Sequence, residues 1–418
     1  MVKWLGHALA RLVKGTARGA NTPARLRVWL VATVLAALLF GVLGALGIDR
    51  RDTALADAAG AAQQLIDVQD VQVALVRADA LASENYLRGG LEDAATRADY
   101  VQQLQQVSSG LVEVGNKVLA AEAGELASVS AQLGDYAGLI EQARANNRQG
   151  FPAGAAYLRA ANDAAVGMVA ALRQVESSLR DQVNEDLDRA DRAGVWLHLF
   201  GWPLALLLVT GGGWVAVRFR RVLNVPLAAG ALTAFVVLLL AANAQGSAMS
   251  DAEAVTSGAL QRADLVAQGR AAAFDAHSQE FFSLINRGNG AANELKWAEA
   301  AVDAETALSL LCGRSGSCDL SDEFDAYSVG YREVRRLDNE AGDWDSAVTT
   351  SLGDGNALFD AFAVSSGDVA QQHTAEATNG LSASRDGLST MRILVFLAGL
   401  ATAGCCVVGY GQRLREYR

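Results

Sequence analysis

Four long stretches without Asp, Glu, Lys or Arg constrain this chain more than any other feature. They are 21, 25, 24 and 19 residues long. About 20 apolar helical residues, at roughly 1.5 Å each, cross a hydrocarbon core of about 30 Å. A buried core helix is the alternative, but it rarely needs such a length without a charge. The sequence therefore predicts four membrane-spanning helices, at residues 28–48, 193–217, 222–245 and 392–411.

Basic residues are distributed unevenly around these spans. The short segments 1–27, 218–221 and 412–418 together hold 12 basic residues and one acidic residue. The long segments hold 13 basic and 22 acidic residues (49–194) and 9 basic and 23 acidic residues (246–391). Because basic loops stay in the cytoplasm, both termini are predicted inside and both long segments outside the plasma membrane. The inner arginines, expected to set topology and form a docking surface, are Arg218, Arg220, Arg221, Arg413 and Arg415.

Apolar residues recur at helical spacing in both long segments, 49–192 and 246–391, and proline is nearly absent. Such stripes predict amphipathic helices, and glycine or proline clusters mark their ends. The second segment has such breaks at residues 286–290, 312–318 and 351–355. The pattern predicts helices at about 49–88, 91–121, 123–147 and 153–193, and at 246–286, 291–312, 320–349 and 356–391.

The expected fold is all-α, with two tandem up-down four-helix bundles outside the membrane. The first and last helix of each bundle are expected to continue into a span. Matching residues favour a tandem duplication. Asp79, Glu84 and Tyr86 recur as Asp275, Glu280 and Phe282, and Tyr136 and Arg144 recur as Tyr327 and Arg335.

No motif of a catalytic, nucleotide-binding or metal site occurs in a suitable context. The chain is therefore predicted not to be an enzyme and to need no cofactor or metal. The acidic excess of the long segments also argues against binding nucleic acid. Cys312 and Cys318 lie in a Gly/Ser-rich turn that is expected to be exported. An oxidising environment there predicts a disulfide between them.

Two groups of residues are expected near the ends of the bundles that are distant from the membrane. One interpretation is that the aromatic rings close the core and the glutamates face water; the other is a contact surface or small pocket. The first helices contribute Glu84, Tyr86, Glu280 and Phe282, and the third corner contributes Arg144, Asn146, Asn147 and Arg148.

The segment YAGLIEQARANNRQG at 136–150, with GAAYL at 154–158, is similar to the actinobacterial GlnX-type membrane proteins. The long helices also resemble the four-helix-bundle sensory domains of chemoreceptors and sensor kinases. The first resemblance implies a relay that couples an amino-acid-binding lipoprotein outside to a soluble serine/threonine protein kinase inside. It carries over no catalytic residue.

Two functions of different classes follow. The first is a signalling relay that senses an external small molecule, directly or through a solute-binding lipoprotein, and passes its state to a cytoplasmic partner. The second is a scaffold of a cell-envelope complex without ligand switching. A transporter is disfavoured because the apolar stretches contain no charged residue that would line an ion or substrate path. The sequence leaves a homo-oligomer open.

Overall fold

The computed structural model describes residues 22–90, 94–116, 120–219, 224–313 and 318–416. It is 94% helical, with no strand among the described residues, and this confirms the all-α prediction. Four of its helices are long and apolar enough to cross a membrane. The chain is therefore a membrane protein. Arg220 and Arg221 lie outside the described residues.

The described residues of the first half form four helices. Helices α1 and α4 are 67 residues long, far longer than a span alone requires. Each includes one predicted span and one flank of the first long segment. The four are α1 (Thr22–Arg88), α2 (Ala94–Gly115), α3 (Ala120–Arg148) and α4 (Ala153–Phe219).

Where the structure describes the second half, it contains seven α-helices and three π-helical turns. It begins with α5 (Val225–Val255), the π-turn Thr256–Leu260 and α6 (Gln261–Ile285), followed by α7 (Ala291–Cys312). Next come α8 (Asp319–Arg335), the π-turn Arg336–Glu340 and α9 (Trp344–Thr350). The π-turn Ser351–Gly355 leads directly into α10 (Asn356–Ala383), and α11 (Leu388–Arg415) ends the described chain.

The corner predicted at residues 351–355 is wrong, because that stretch is a π-turn joined to α10 without a break. The chain turns instead before α9, where Gly342 has φ +65°. A positive φ costs glycine little. The Asp343 carboxylate then caps α9 by accepting a hydrogen bond from the Ser346 backbone N–H at 3.0 Å, a preferred helix start.

The prediction that the last helix of the second long segment continues into the fourth span is also wrong. The helix breaks at residues 384–387, and Gly387 has φ +85° immediately before α11 begins. An L-residue disfavours that conformation, whereas glycine adopts it readily. The other three predicted spans do belong to helices that run into a long segment.

Two compact units divide the chain. The span unit contains the described residues up to 57, residues 185–253 and those from 382 onward. The interspan unit contains residues 58–184 and 254–381. Parts of both long segments, which the sequence treats as two separate bundles, thus belong to one unit. Their separation into two domains stays a prediction.

The interspan unit has two main apolar clusters. The first contains buried residues of α1, α2, α3 and α4, together with Phe282 of α6. The second contains residues of α6, α7, α8 and α10, together with Val73 and Ala80 of α1. Each segment therefore supplies most of one cluster, and α1 and α6 each contribute to both.

Candidate ligand-binding site

Polar side chains interrupt the buried stripe of α1. Leu65, Val68 and Leu75 lie on this stripe and are nearly inaccessible to solvent. Gln72 and Asp79 occupy the same helical face, at the spacing of three and four residues that apolar side chains use, and they are only 6% and 3% exposed. Polar groups in such positions need partners or a ligand.

Three helices supply partners to the Asp79 carboxylate. Asn162 Nδ2 of α4 donates to Oδ2 at 2.7 Å, and Ser278 Oγ of α6 donates to the same oxygen at 3.0 Å. The Tyr136 hydroxyl of α3 is 3.4 Å from Oδ1. Asp79 therefore holds α1, α3, α4 and α6 together within the interspan unit, and its acceptor oxygens are already used.

Burial raises the pKa of Asp79 to about 6, because desolvation outweighs the hydrogen bonds from Asn162 and Ser278 that favour the charged form. The negative charge of Asp275 acts in the same direction as burial. The folded protein therefore binds this proton more tightly than an unfolded chain, whose aspartates titrate near pH 4.

Asp79→Asn is expected to stabilise the interspan unit at pH 7.5 but not at pH 4.5. A raised folded-state pKa adds stability below the unfolded pKa, and that stability is lost as pH rises through about 6. Two pKa units correspond to about 3 kcal/mol, which asparagine avoids because it does not ionise. The melting temperatures of the unmodified protein and of Asp79→Asn should diverge as the pH rises from 4.5 to 7.5.

Asp163→Asn is the control, since Asp163 follows Asn162 on α4 but is exposed. It should show no such pH-dependent divergence. A lower melting temperature of Asp79→Asn at pH 7.5 would mean that the charge itself stabilises the fold.

Two adjoining cavities lie in the interspan unit, and Asp79 lines the smaller of them. The larger has a volume of about 420 Å³ and the smaller about 150 Å³. Gln72, Arg173 and Asp303 line both cavities. The larger volume lies within the range of small-molecule sites, roughly 300–1,000 Å³. Helices α1, α4, α6 and α7 supply the walls, so both long segments build this site.

Two oxygens at this site have no hydrogen-bond partner within the described part of the chain. They are Oε1 of Gln72 and Oε1 of Glu176, and both are buried. Glu176 is 5% exposed, and its other carboxylate oxygen lies 3.4 Å from Arg180 Nη2. Desolvation raises the pKa of Glu176 to about 7, although Arg180 opposes the shift and Asp264 adds to it. Unpaired buried acceptors and shifted carboxyls are features of binding sites.

The first-segment residues predicted at a bundle end partly come together. Asn147 Nδ2 donates to the backbone oxygen of Tyr86 at 2.8 Å, which joins α3 to α1. Glu84 is 8% exposed and accepts from Asn356 Nδ2 at 2.8 Å. Arg144 pairs with Glu141 at 2.8 Å. The Asn147 and Glu84 contacts join different helices, whereas the Arg144–Glu141 pair lies within α3.

Asn146 Nδ2 donates to the Gln142 backbone oxygen at 2.8 Å, so this side chain satisfies its own helix. Arg148 is exposed at the end of α3. A contact surface formed by these residues stays a prediction.

A contact surface that includes Glu280 and Phe282 is wrong, because these side chains are 0% and 2% exposed. Phe282 packs in the first apolar cluster. Glu280 accepts hydrogen bonds from the Tyr327 hydroxyl at 2.7 Å and the Ser351 hydroxyl at 2.6 Å. The π-turn at Ser351–Gly355 brings this serine to the glutamate. The sequence pattern did not indicate this contact between Ser351 and Glu280.

Cys312 and Cys318 form a disulfide with their Cα atoms 5.6 Å apart, between the end of α7 and the start of α8. Among the arginines predicted to be cytoplasmic, Arg218 and Arg415 are exposed, and Arg413 pairs with Glu416 at 2.6 Å. Their role as a docking surface stays a prediction.

Comparison with known proteins relates part of this chain to sensory proteins. The family model of the actinobacterial sensor domain matches residues 54–188, about a third of the chain. This range includes Gln72, Asp79, Asn162 and Glu176. No curated protein and no solved structure matches the chain. The match supports a sensory membrane protein of actinobacteria.

Four residues of this site were not predicted from the sequence: Gln72, Asn162, Arg173 and Glu176. The available signal was the presence of Gln72 and Asp79 within an otherwise apolar helical stripe. The partners come from α4 and α6, far away in the sequence, so spacing along one helix does not reveal them.

Proposed function

We propose that this chain is a non-enzymatic signalling relay of the plasma membrane. It senses a small molecule outside the cell and passes the resulting state to a cytoplasmic partner. The sensor-domain match at residues 54–188 supports the sensory role. The distribution of basic residues supports the orientation, with the interspan unit outside and both termini inside.

The observation that carries this proposal is the length of α1 and α4. Each extends unbroken for 67 residues and includes both a candidate span and part of the sensor-domain match. A continuous helix transmits a shift or rotation along its axis, as in other switching proteins. A ligand that changes the packing of α1 or α4 outside therefore acts on the spans directly.

A buried arginine supports coupling among three helices of the span unit. Arg51 is 5% exposed and follows the first predicted span. Its Nε donates to the Ala190 backbone oxygen at 2.8 Å, and its Nη1 donates to the Gln245 backbone oxygen at 2.9 Å. Gly194 leaves room for this guanidinium, because an added Cβ would lie 2.7 Å from Nη2. A movement of α1 is thereby shared with α4 and α5.

The proposed external signal is an amino acid, bound directly or delivered by a solute-binding lipoprotein. The proposed internal partner is a serine/threonine protein kinase that docks on the arginines near the span ends. Support for both comes from the family resemblance of residues 136–158. A coupling free energy of about 1–3 kcal/mol between the two faces suffices for such a switch.

Inserting three glycines after Arg192 is expected to abolish the response while leaving the interspan unit folded. Each glycine disfavours helix by roughly 1 kcal/mol relative to alanine, so α4 loses its rigid connection at this point. The measurement is phosphorylation of cytoplasmic serine/threonine kinase substrates in cells after addition of a casamino-acid mixture.

The matched control inserts the same three glycines after Gly150, in the turn between α3 and α4 where Gly150 has φ +69°. This variant should respond like the unmodified protein. A normal response from the Arg192 insertion would refute the relay and favour a scaffold, which needs no rigid helix. Absence of a response in the unmodified protein would refute the amino-acid and kinase assignments.

A further inference from the structure

We propose that the polar cavity of the interspan unit binds a small molecule directly, through a ligand ammonium group held by Gln72 and Glu176. The proposal rests on the sensory function above, since it identifies the site at which the external signal acts. It also assigns the binding step to this chain itself, with no lipoprotein required.

Two buried oxygens of the cavity residues favour a hydrogen-bond donor as ligand. Gln72 Oε1 and Glu176 Oε1 have no partner among the described residues, although their side chains are 6% and 5% exposed. Both residues line the larger cavity. Two buried acceptors require donors, and an ammonium group supplies three donors and no acceptor. A carboxylate or carbonyl of a ligand could not satisfy them.

The charged side chains that line the two cavities also bear on the ligand. Asp275 and Asp303 line the smaller cavity, and Asp303 also lines the larger one. Arg180 lines the larger cavity but is already paired with Asp264 and Glu176. Arg173 lines both cavities and makes no ion pair within the described part of the chain. The charges of the cavity walls therefore favour a cationic group. Arg173 can in addition form an ion pair with a carboxylate of the ligand.

An ammonium group can come from a free amine or from an amino acid, and Arg173 distinguishes the two. An amino acid places its carboxylate near the guanidinium, so Arg173→Met should weaken its binding. A free amine gains nothing from Arg173, so the same substitution should leave its binding unchanged or strengthen it. A cavity of about 420 Å³ accommodates either class.

The ligand should compete with a proton. Burial raises the pKa of Glu176 to about 7, so this carboxyl is partly protonated in the empty site near neutral pH. The charged groups facing it are Arg180 and Arg173 on its own helix and Asp264 on α6. Only ionised Glu176 attracts an ammonium group. Affinity should therefore rise as the pH increases from 6 to 8, and Glu176→Gln should remove most of that dependence.

The test is calorimetric titration of the full-length protein in detergent. The probes are cadaverine, L-lysine and L-glutamine, with Nα-acetyl-L-glutamine as the probe without an ammonium group. At least one of the first three should bind, and acetylation should weaken the binding of L-glutamine at least about tenfold, equivalent to 1.4 kcal/mol. Binding of none of the first three, or equal binding of the acetylated probe, would overturn the proposal.

Gln72→Leu is the decisive variant. It removes an unpartnered buried amide, so it should keep or raise the melting temperature, by roughly 2–4 °C, while weakening binding about tenfold. The matched control is Gln103→Leu, since Gln103 of α2 is also 6% exposed and lines neither cavity. Equal effects of the two substitutions on binding would overturn the proposal.

This experiment is separate from the test of the relay. Probe binding without a cellular response would refute the relay and leave the ammonium site in place. A cellular response without probe binding in the purified protein would overturn the ammonium site and leave the relay in place.

Discussion

Glu280→Ala is expected to destabilise the interspan unit by about 3–5 kcal/mol. The substitution leaves a cavity at a side chain that is 0% exposed. It also removes the acceptor of the Tyr327 and Ser351 hydroxyls. Each orphaned hydroxyl costs about 1–3 kcal/mol, and the lost packing adds to this cost. Chemical denaturation at neutral pH measures the change in the free energy of unfolding.

Glu280→Gln separates hydrogen bonding from charge. Glutamine has nearly the same shape and keeps one of the two acceptor oxygens, while the hydroxyl at the other position can rotate to accept from the amide NH2. Its cost should therefore be below about 1.5 kcal/mol. Glu299→Ala, at an exposed position of α7, should change stability by less than about 0.5 kcal/mol. If Glu280→Ala were as mild as Glu280→Gln, the hydroxyl network would not stabilise this unit.

Gly399→Leu is expected to disrupt the packing of the span unit. A Cβ at Gly399 would lie 2.5 Å from the Gly41 Cα and 2.8 Å from the Ala37 backbone oxygen. These are backbone atoms, so α1 and α11 would have to separate. Small residues allow such close approach of helices in membranes, and overpacking typically costs about 1–3 kcal/mol or more. The melting temperature in detergent should fall clearly.

Gly404→Leu is the matched control on the same helix, because a Cβ there meets nothing within 4 Å. It should melt like the unmodified protein. Equal melting temperatures for Gly399→Leu and Gly404→Leu would show that the contact between α1 and α11 does not support the span unit.

Much of the fold could be predicted from local sequence patterns. The uncharged stretches indicated the four apolar helices, and the helical spacing of apolar residues indicated an all-α chain. These features depend on residues close together in sequence. The site was harder to predict from the sequence. Gln72 and Asp79 on α1 stand out as polar residues in an apolar stripe. The roles of Asn162, Glu176 and Ser278 depend on their proximity to that stripe in the folded chain.

Two wrong boundaries show where local rules fail. Glycines at 353 and 355 resemble a helix end, yet they remain within a π-turn whose Ser351 bonds to Glu280. Gly387, which no local pattern singled out, takes a positive φ in the break between α10 and α11. A glycine permits both helical and left-handed backbone, so packing against distant residues determines which one is adopted.

The sequence by itself determined the helical class, the four apolar helices and the sensory class, because these depend on composition, on local spacing and on a family pattern within residues 54–188. Tertiary structure alone decided that residues of both long segments share one compact unit. It also buried Glu280, and it placed beside a cavity two side chains of α1 and α4 whose oxygens have no partner among the residues that the structure describes. The physical reason is that burial and hydrogen bonding depend on neighbours contributed by other helices, and helical periodicity does not encode which helices those are.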